Sequence, residues 1–319
     1  MTNSHKSRRG CVYFNFGKRY ALHLVVSVHS LRRHYDGPIM VFLLDEPHTR
    51  ALKRDLEKLG ASVVVTDRLS KSGDRHLVFR ESPYETTLLF DSDIIFRAPI
   101  DDLWEPLERE GALVTRFFPP PAGRLIMLKG IAALVGQQRY ERAVVRVRDE
   151  RVDINVGVMG FARPRGDGFL AEWSECMEQG RGQDILLLDE MSIVALAEHH
   201  PHYLADEQWN CPADEIYRSI DPAEAKILHF FLDGAIINGR RIGRTLETWT
   251  GRQWFEAYRA AKKDINLSRW RLGDESFPRD AERPFESGAE VTIRFWLKDS
   301  ERAIRRVRKS IFPAKRKET

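Results

Sequence analysis

The chain has 319 residues, 42% apolar and 31% charged, with 51 basic against 47 acidic side chains for a net charge of +4. Seventeen Phe, eight Tyr and seven Trp are enough to build a sizeable core, which excludes bulk disorder. No uncharged apolar run approaches the ~18 residues of a spanning helix, and the CVYFNF run after MTNSHKSRRG is too short for the apolar region of a signal peptide.

Along the chain, residues 1–10 read as a disordered tail. Cys11–Phe16 is a strand candidate broken by Gly17. Apolar residues at Ala21, Leu24, Val25, Val28, Leu31 and Tyr35 predict a helix stopped by Asp36-Gly37-Pro38. Ile39–Leu44 is a continuous apolar run of the buried-parallel kind. A helix to about Leu59 follows Pro47, then strands at Ala61–Thr66 and Thr86–Phe90. Alternating strands and helices imply a mostly parallel sheet, whose ligands sit beyond the carboxyl ends of the strands. Further on, Ala112–Thr115 reads as a strand and Phe118–Gly123 as a loop. Ile126–Arg148 reads as helix in two pieces, and Val152–Phe161 as a strand bulged at Asn155 and Gly157. Helices are predicted over 167–178 and 187–199, and a strand over Lys226–Phe231. Residues 270–288 look like a linker, and Ile293–Ile311 like a basic amphipathic helix.

Asp91-Ser92-Asp93 closes a fully apolar strand. On an extended segment residues two apart face the same side, so both carboxylates can enter one site. Two hard oxygen donors suit Mg²⁺ or Mn²⁺, which would neutralise a diphosphate leaving group. The competing reading is a solvated turn, although like charges at the end of a buried strand repel unless a cation lies between them.

These residues, in order, resemble a known family. A first strand and turn with Tyr20 come first, then Ser27 and Ser30-Leu31-Arg32, and Gly37-Pro38 before the second strand. TTLLFDSDIIF, Asn155–Met159, Asp189-Glu190 and His229-Phe230 before Gly234 follow. The set resembles family 8 of the GT-A-fold glycosyltransferases, which includes glycogenin and bacterial lipopolysaccharide galactosyl- and glucosyltransferases, over roughly residues 11–235. The resemblance implies an α/β fold with a GT-A-type, Rossmann-like, mostly parallel sheet flanked by helices, and C-terminal helical additions. The transferase domain would run over 11–265, with a linker and basic helix over 266–319.

The function implied is metal-dependent, retaining transfer of a hexose from a UDP-sugar to a glycan, lipid-linked or protein acceptor. Asp91, Asp93 and His229 would hold Mn²⁺ (or Mg²⁺). The alternative for His229 is a half-buried strand-end histidine. Phe14, Asn15 and Tyr20 would hold the nucleotide base, or in Tyr20's case simply pack the core. Arg75 would meet the donor, or be a surface arginine in a polar loop. Asp91, Ser92, Asp93, Asn155, Gly157, Asp189, His229 and Gly234 complete the donor set, with Gly157 alternatively a plain bulge. Asp189, Glu190 and Arg75 are the catalytic candidates. Glu190 stands where the family usually has Gln. A carboxylate there could stabilise or attack the anomeric centre, or merely solvate its helix.

A second departure is the lack of the Lys-Pro-Trp segment that follows the family's histidine. Arg240 and Arg241 are the substitutes at hand. This leaves open a non-catalytic sugar-nucleotide-binding relative, or a metal-dependent hydrolase using the same carboxylates. A sugar nucleotidyltransferase is less consistent, because NFGKRY carries a single Gly where a phosphate loop is needed. His199-His200-Pro201-His202 is read as structural. The odd, widely spaced Cys11, Cys176 and Cys211 point to a reducing cytoplasm. Residues 291–319, with ten basic and three acidic side chains, suit an anionic leaflet on the inner face of the membrane or a solvated helix. No nucleic-acid motif is present.

Overall fold

The computed structural model describes residues 8–69, 74–118, 121–183, 185–230 and 248–270. The strands are β1 (Arg9–Asn15), β2 (Ile39–Leu44), β3 (Ser62–Thr66), β4 (Thr86–Phe90), β5 (Ile94–Phe96), β6 (Ala112–Phe117), β7 (Asp153–Ala162), β8 (Tyr203–Ala205), β9 (Cys211–Pro212) and β10 (Ile227–His229). The helices are α1 (Ala21–Arg32), α2 (Thr49–Lys58), α3 (Arg75–Glu81), α4 (Trp104–Glu110), α5 (Pro121–Val135), α6 (Gln137–Val145), α7 (Asp167–Gln179), α8 (Leu188–Leu196) and α9 (Trp249–Asp264).

Seven strands form one sheet in the order β3-β2-β1-β4-β7-β6-β8. All its pairings are parallel except those of β7, which runs antiparallel to β4 and β6. A smaller sheet, β5-β10-β9, lies beyond the end of β4. The expected α/β, mostly parallel sheet flanked by helices is therefore present. Its apolar runs are explained by burial on both faces. Along β1, Cys11 and Tyr13 enter one core, and Val12 and Phe14 the other.

α1 is buried almost all round because α9 covers the side turned away from the sheet. The Thr248 hydroxyl caps α9 by accepting from the Gly251 N–H at 3.0 Å. Trp254, Phe255, Tyr258 and Ala261 then form its buried face. α9 lies inside the span expected for the transferase domain, where the sequence reading places no helix; the expected linker and basic helix lie, beyond residue 270, outside the described residues. Beyond α9, Leu267 and Trp270 are buried in a 3-10 turn, and the Trp270 indole N–H donates to Asp55 Oδ2 at 2.9 Å.

Several local expectations are corrected. β1 starts at Arg9, inside the stretch read as a tail. α5 begins at Pro121, within the predicted 118–123 loop, as proline's fixed φ suits a first helical turn. Arg75 opens a helix, α3, rather than lying in a polar loop. Asp91-Ser92-Asp93 is a turn between β4 and β5, not an extended run. The strand around Lys226–Phe231 is shorter, 227–229, and belongs to the small sheet. The predicted bulge is present: the β6–β7 register shifts between Leu113–Gly160 and Thr115–Asn155. The break between α5 and α6 falls at Gly136, with φ 84°. All three cysteines are buried and unbridged. No helix among the described residues is long and apolar enough to cross a membrane.

Candidate functional site

A cleft of about 450 Å³ opens at the carboxyl ends of β1 and β4. Phe14, Asn15, Tyr20, Arg75, Asp91, Ser92, Asp93, Asn155, Asp189, Glu190 and His229 all line it. Gly157 stands just behind this wall. Gly234, Arg240, Arg241 and residues 291–319 lie outside the described residues.

At the floor, Asp91, Asp93 and His229 each offer one ligand atom, and these atoms lie within 4.8 Å of one another. The turn after β4 supplies both carboxylates. The antiparallel pairing of β10 with β5 sets His229 opposite Ile94 and bonds the Phe230 N–H to the Asp93 carbonyl at 2.9 Å. His229 Nε2 thereby sits 3.2 Å from Asp93 Oδ1 and 3.8 Å from Asp91 Oδ2. Gly157 leaves the room this needs. A Cβ there would lie 2.3 Å from His229 Cε1, so its missing side chain accommodates the imidazole.

Burial raises the Asp91 carboxyl's pKa, and the neighbouring Asp93 adds to the rise against the pull of Arg75. Burial also pushes Asp93 upward, but the His229 charge and hydrogen bond outweigh it and the net shift is downward. For His229 burial acts to lower the pKa, and the charges of Asp93 and Asp91 raise it overall. Two carboxylates and an imidazole converging on one point fit a divalent cation such as Mn²⁺ or Mg²⁺.

Arg75 ties this floor to the far wall. Its Nη2 donates to both oxygens of Asp91 at 2.6 and 2.7 Å, and its Nη1 pairs with Asp189. These acids raise the guanidinium's pKa despite burial. Asp189 and Glu190 occupy the first turn of α8, where acidic side chains face the positive end of the helix dipole. Glu190 is saturated by protein donors: Arg124 Nη1 on Oε1, and Asn155 Nδ2 on Oε2 at 2.9 Å. Arg124, from α5, also grips Asp153 with Nε at 2.5 Å and Nη2 at 2.9 Å. Burial raises the Glu190 carboxyl's pKa, and the facing Arg124 opposes the rise.

The wall beside β1 is aromatic. Phe14 and Phe16 stack at 6.0 Å, Tyr20 meets Phe16 edge-on, and Arg75 lies over the Phe14 ring at 5.5 Å. Asn15 Oδ1 is buried there without a hydrogen-bond partner among the described residues. A buried bare acceptor is costly unless a ligand donor meets it.

Sequence reasoning missed Arg124, Asp153, Asn210, Phe117 and Tyr217. Phe117 and Tyr217 stack at 5.9 Å on the wall opposite β1. A charge-to-partner search around Glu190 would have raised Arg124 as one of many candidates, while Asn210 carries no sequence signal beyond its type. The histidine run is structural, as read: His200 bonds Glu172 at 2.5 Å and stacks on Phe169 at 4.7 Å.

No family model matches the sequence, and no curated protein matches it. The fold does have solved counterparts. The chain superposes on the apo structure of the bifunctional glycosyltransferase WbbM with a TM-score of 0.57 at 13% identity, over 86% of this chain and 53% of that one. It superposes on the glycosyltransferase GlyE of Streptococcus pneumoniae TIGR4 with a TM-score of 0.52 at 14% identity, over 88% of this chain and 66% of that one. The chain thus spans about half the length of the first and just under two thirds of the second. At such identities the likeness establishes the fold, which is of the GT-A type.

Proposed function

We propose that the protein is a metal-dependent glycosyltransferase that moves a hexose from a UDP-sugar to an acceptor hydroxyl with retention of configuration. The observation that carries this reading is the Asp91–Asp93–His229 cluster on the floor of a cleft whose one wall is aromatic and whose other wall presents Asp189 and Asn155. Mn²⁺ or Mg²⁺ held there would act as a Lewis acid toward a diphosphate leaving group. The fold, shared with proteins named as glycosyltransferases, supports the same assignment.

Phe14, Phe16 and Tyr20 offer faces for a uracil ring, and the Asn15 Oδ1 acceptor suits a ring N–H. Arg75 holds Asp91 and Asp189 at a fixed separation and adds positive charge beside the diphosphate. Asp189 is placed to accept from sugar hydroxyls, and Ser92 lies between the two metal-facing acids. Asp91, Asp189 and Glu190 are ion-paired to arginines and Asp93 faces the proposed metal, so no carboxylate among the described lining residues is offered as a general base. This favours same-face substitution. The anomeric C–O bond to the diphosphate breaks, the acceptor oxygen bonds to that carbon, and the acceptor proton passes to a phosphate oxygen. Glu190 is read as an electrostatic and positioning group rather than a nucleophile. The transferase domain is taken as the body from β1 to α9. The protein is placed in the cytoplasm, with residues 291–319 contacting an anionic leaflet.

Calorimetry with UDP, with and without Mn²⁺, tests the donor site, and Mn²⁺-dependent heat is expected. A screen of sugar nucleotides for slow hydrolysis, run on native protein and Asp93→Ala, tests the chemistry. Turnover in the native protein and a loss of about 100-fold or more in the variant are expected. Absence of UDP binding under both conditions overturns the assignment.

A further inference from the structure

We infer that Asn210 is a positioning residue that fixes which nitrogen of His229 faces the metal site; this rests on the metal reading above. Asn210 follows a 3-10 turn at 207–209 and is 1% exposed. Its Oδ1 lies 2.9 Å from His229 Nδ1, and its Nδ2 lies 2.7 Å from Thr115 Oγ1 and 2.9 Å from Asn155 Oδ1.

The polarity of this chain is set at its far end. The Gly157 N–H can only donate, and it donates to Asn155 Oδ1 at 2.9 Å. The Glu190 carboxylate accepts from Asn155 Nδ2. Asn155 is therefore held with its oxygen toward Asn210. The Thr115 hydroxyl spends its own proton on the carbonyls of Asn155 and Val158, at 2.9 and 3.2 Å, so toward Asn210 it too can only accept. Both neighbours demand the NH₂ of Asn210. Its carbonyl oxygen must then face His229 and accept the Nδ1 proton. Nδ1 thus carries a proton, and Nε2 is the nitrogen left for a cation held between Asp91 and Asp93; without a cation it faces the Asp93 carboxylate at 3.2 Å. Outer hydrogen bonds of this kind orient an imidazole and raise its basicity as a ligand.

The test uses the full chain, with Mn²⁺ as the probe and free ion counted by electron paramagnetic resonance. Asn210→Leu keeps the volume and removes the acceptor, and Mn²⁺ affinity is expected to fall about 10–100-fold. Asn210→Asp keeps an acceptor for Nδ1 but gives up the NH₂ donated to Thr115 and Asn155, so it is expected to lose stability while holding Mn²⁺ more tightly than Asn210→Leu does. In a His229→Ala background, Asn210→Leu is expected to cost nothing further. The ¹⁵N shifts of the metal-free His229 imidazole should show a proton on Nδ1 in the native chain, whether or not Nε2 also carries one toward Asp93, and its loss from Nδ1 in Asn210→Leu. A folded Asn210→Leu that binds Mn²⁺ like the native protein, or that loses as much affinity without His229 as with it, overturns the inference. If Asn210→Leu does not fold, a folded Asn210→Asp with the affinity of His229→Ala overturns it instead. If the native chain binds no Mn²⁺, the metal reading fails, and the metal-free Nδ1 proton still decides the role of Asn210.

Discussion

Glu190→Gln separates a structural carboxylate from a reactive one. In the native cleft both Glu190 oxygens accept, one from Arg124 and one from Asn155. A glutamine has one oxygen and one NH₂, so it must turn a donor against either Arg124 or Asn155. The swap removes a hydrogen bond to a charged group, worth about 1.5–3 kcal/mol. It also leaves one buried donor without its acceptor, at roughly 1–3 kcal/mol more. Arg124 keeps Asp153, which limits the damage. The net expectation is a loss of ~3 kcal/mol, a large part of a stability of about 5–15 kcal/mol. Thermal unfolding should shift downward by on the order of 6–12 °C. Urea unfolding followed by tryptophan fluorescence gives the free energy. Sugar-nucleotide turnover on the folded fraction, measured well below the melting point, gives the chemistry. A positioning role predicts that turnover survives, reduced by no more than about 10²–10³-fold, as for removal of one preorganised electrostatic group. A variant as stable as native but devoid of turnover refutes the reasoning, since it would mean that the carboxylate reacts and does not brace.

Gly157→Ala places a Cβ 2.3 Å from His229 Cε1, so the ring must shift; calorimetric Mn²⁺ affinity should fall at least tenfold, by the same reasoning as for loss of a supporting contact. His23 is buried among apolar groups, both ring nitrogens lack a partner among the described residues, and burial lowers its pKa to about 4. The folded state keeps it neutral while the unfolded chain protonates near 6.5, so its contribution is complete above that pH and is lost as pH falls toward about 4. His23→Phe should flatten that limb of the stability–pH curve by up to ~3 kcal/mol, and an unchanged slope would count against it. Trp270→Phe removes the indole N–H from the buried Asp55 carboxylate and should cost about 1–3 kcal/mol in urea unfolding. Ending the chain at residue 265 also strips the buried Leu267 and Trp270 side chains and should cost more, about 3–5 kcal/mol or above.

Much of the site is legible as residue type and order. Asp91 and Asp93 stand out because two acids interrupt the end of a wholly apolar strand, and Asn155 and Gly157 because they break another apolar run. Asp189 and Glu190 read as helix-initial acids, and α8 does begin at Leu188. What is not legible is partnership. Arg75 sits in a polar stretch, and only the docking of α3 against α7 and β1 buries it between two acids. Arg124 lies in a helix whose start was hidden by three prolines. Gly157 reads in sequence as a donor-set residue or a bulge, and the fold adds that it leaves room for an imidazole, because His229 arrives from a separate sheet. α9 is not among the elements read from the sequence, yet it decides that α1 is buried almost all round.

Local chemistry along the chain is therefore set by the sequence alone. Apolar runs of period two or continuous burial make strands, caps and prolines start helices, and acidic strand ends mark the ligand side of an α/β sheet. Convergence is a property of the folded molecule. His229 meets Asp93 because β10 pairs with β5, Arg124 meets Glu190 because α5 packs on α8, and Asn210 meets His229 because a 3-10 turn carries it under the sheet end. These pairings are fixed by sheet order and helix packing, which depend on the whole core at once and are not encoded in any one stretch of residues.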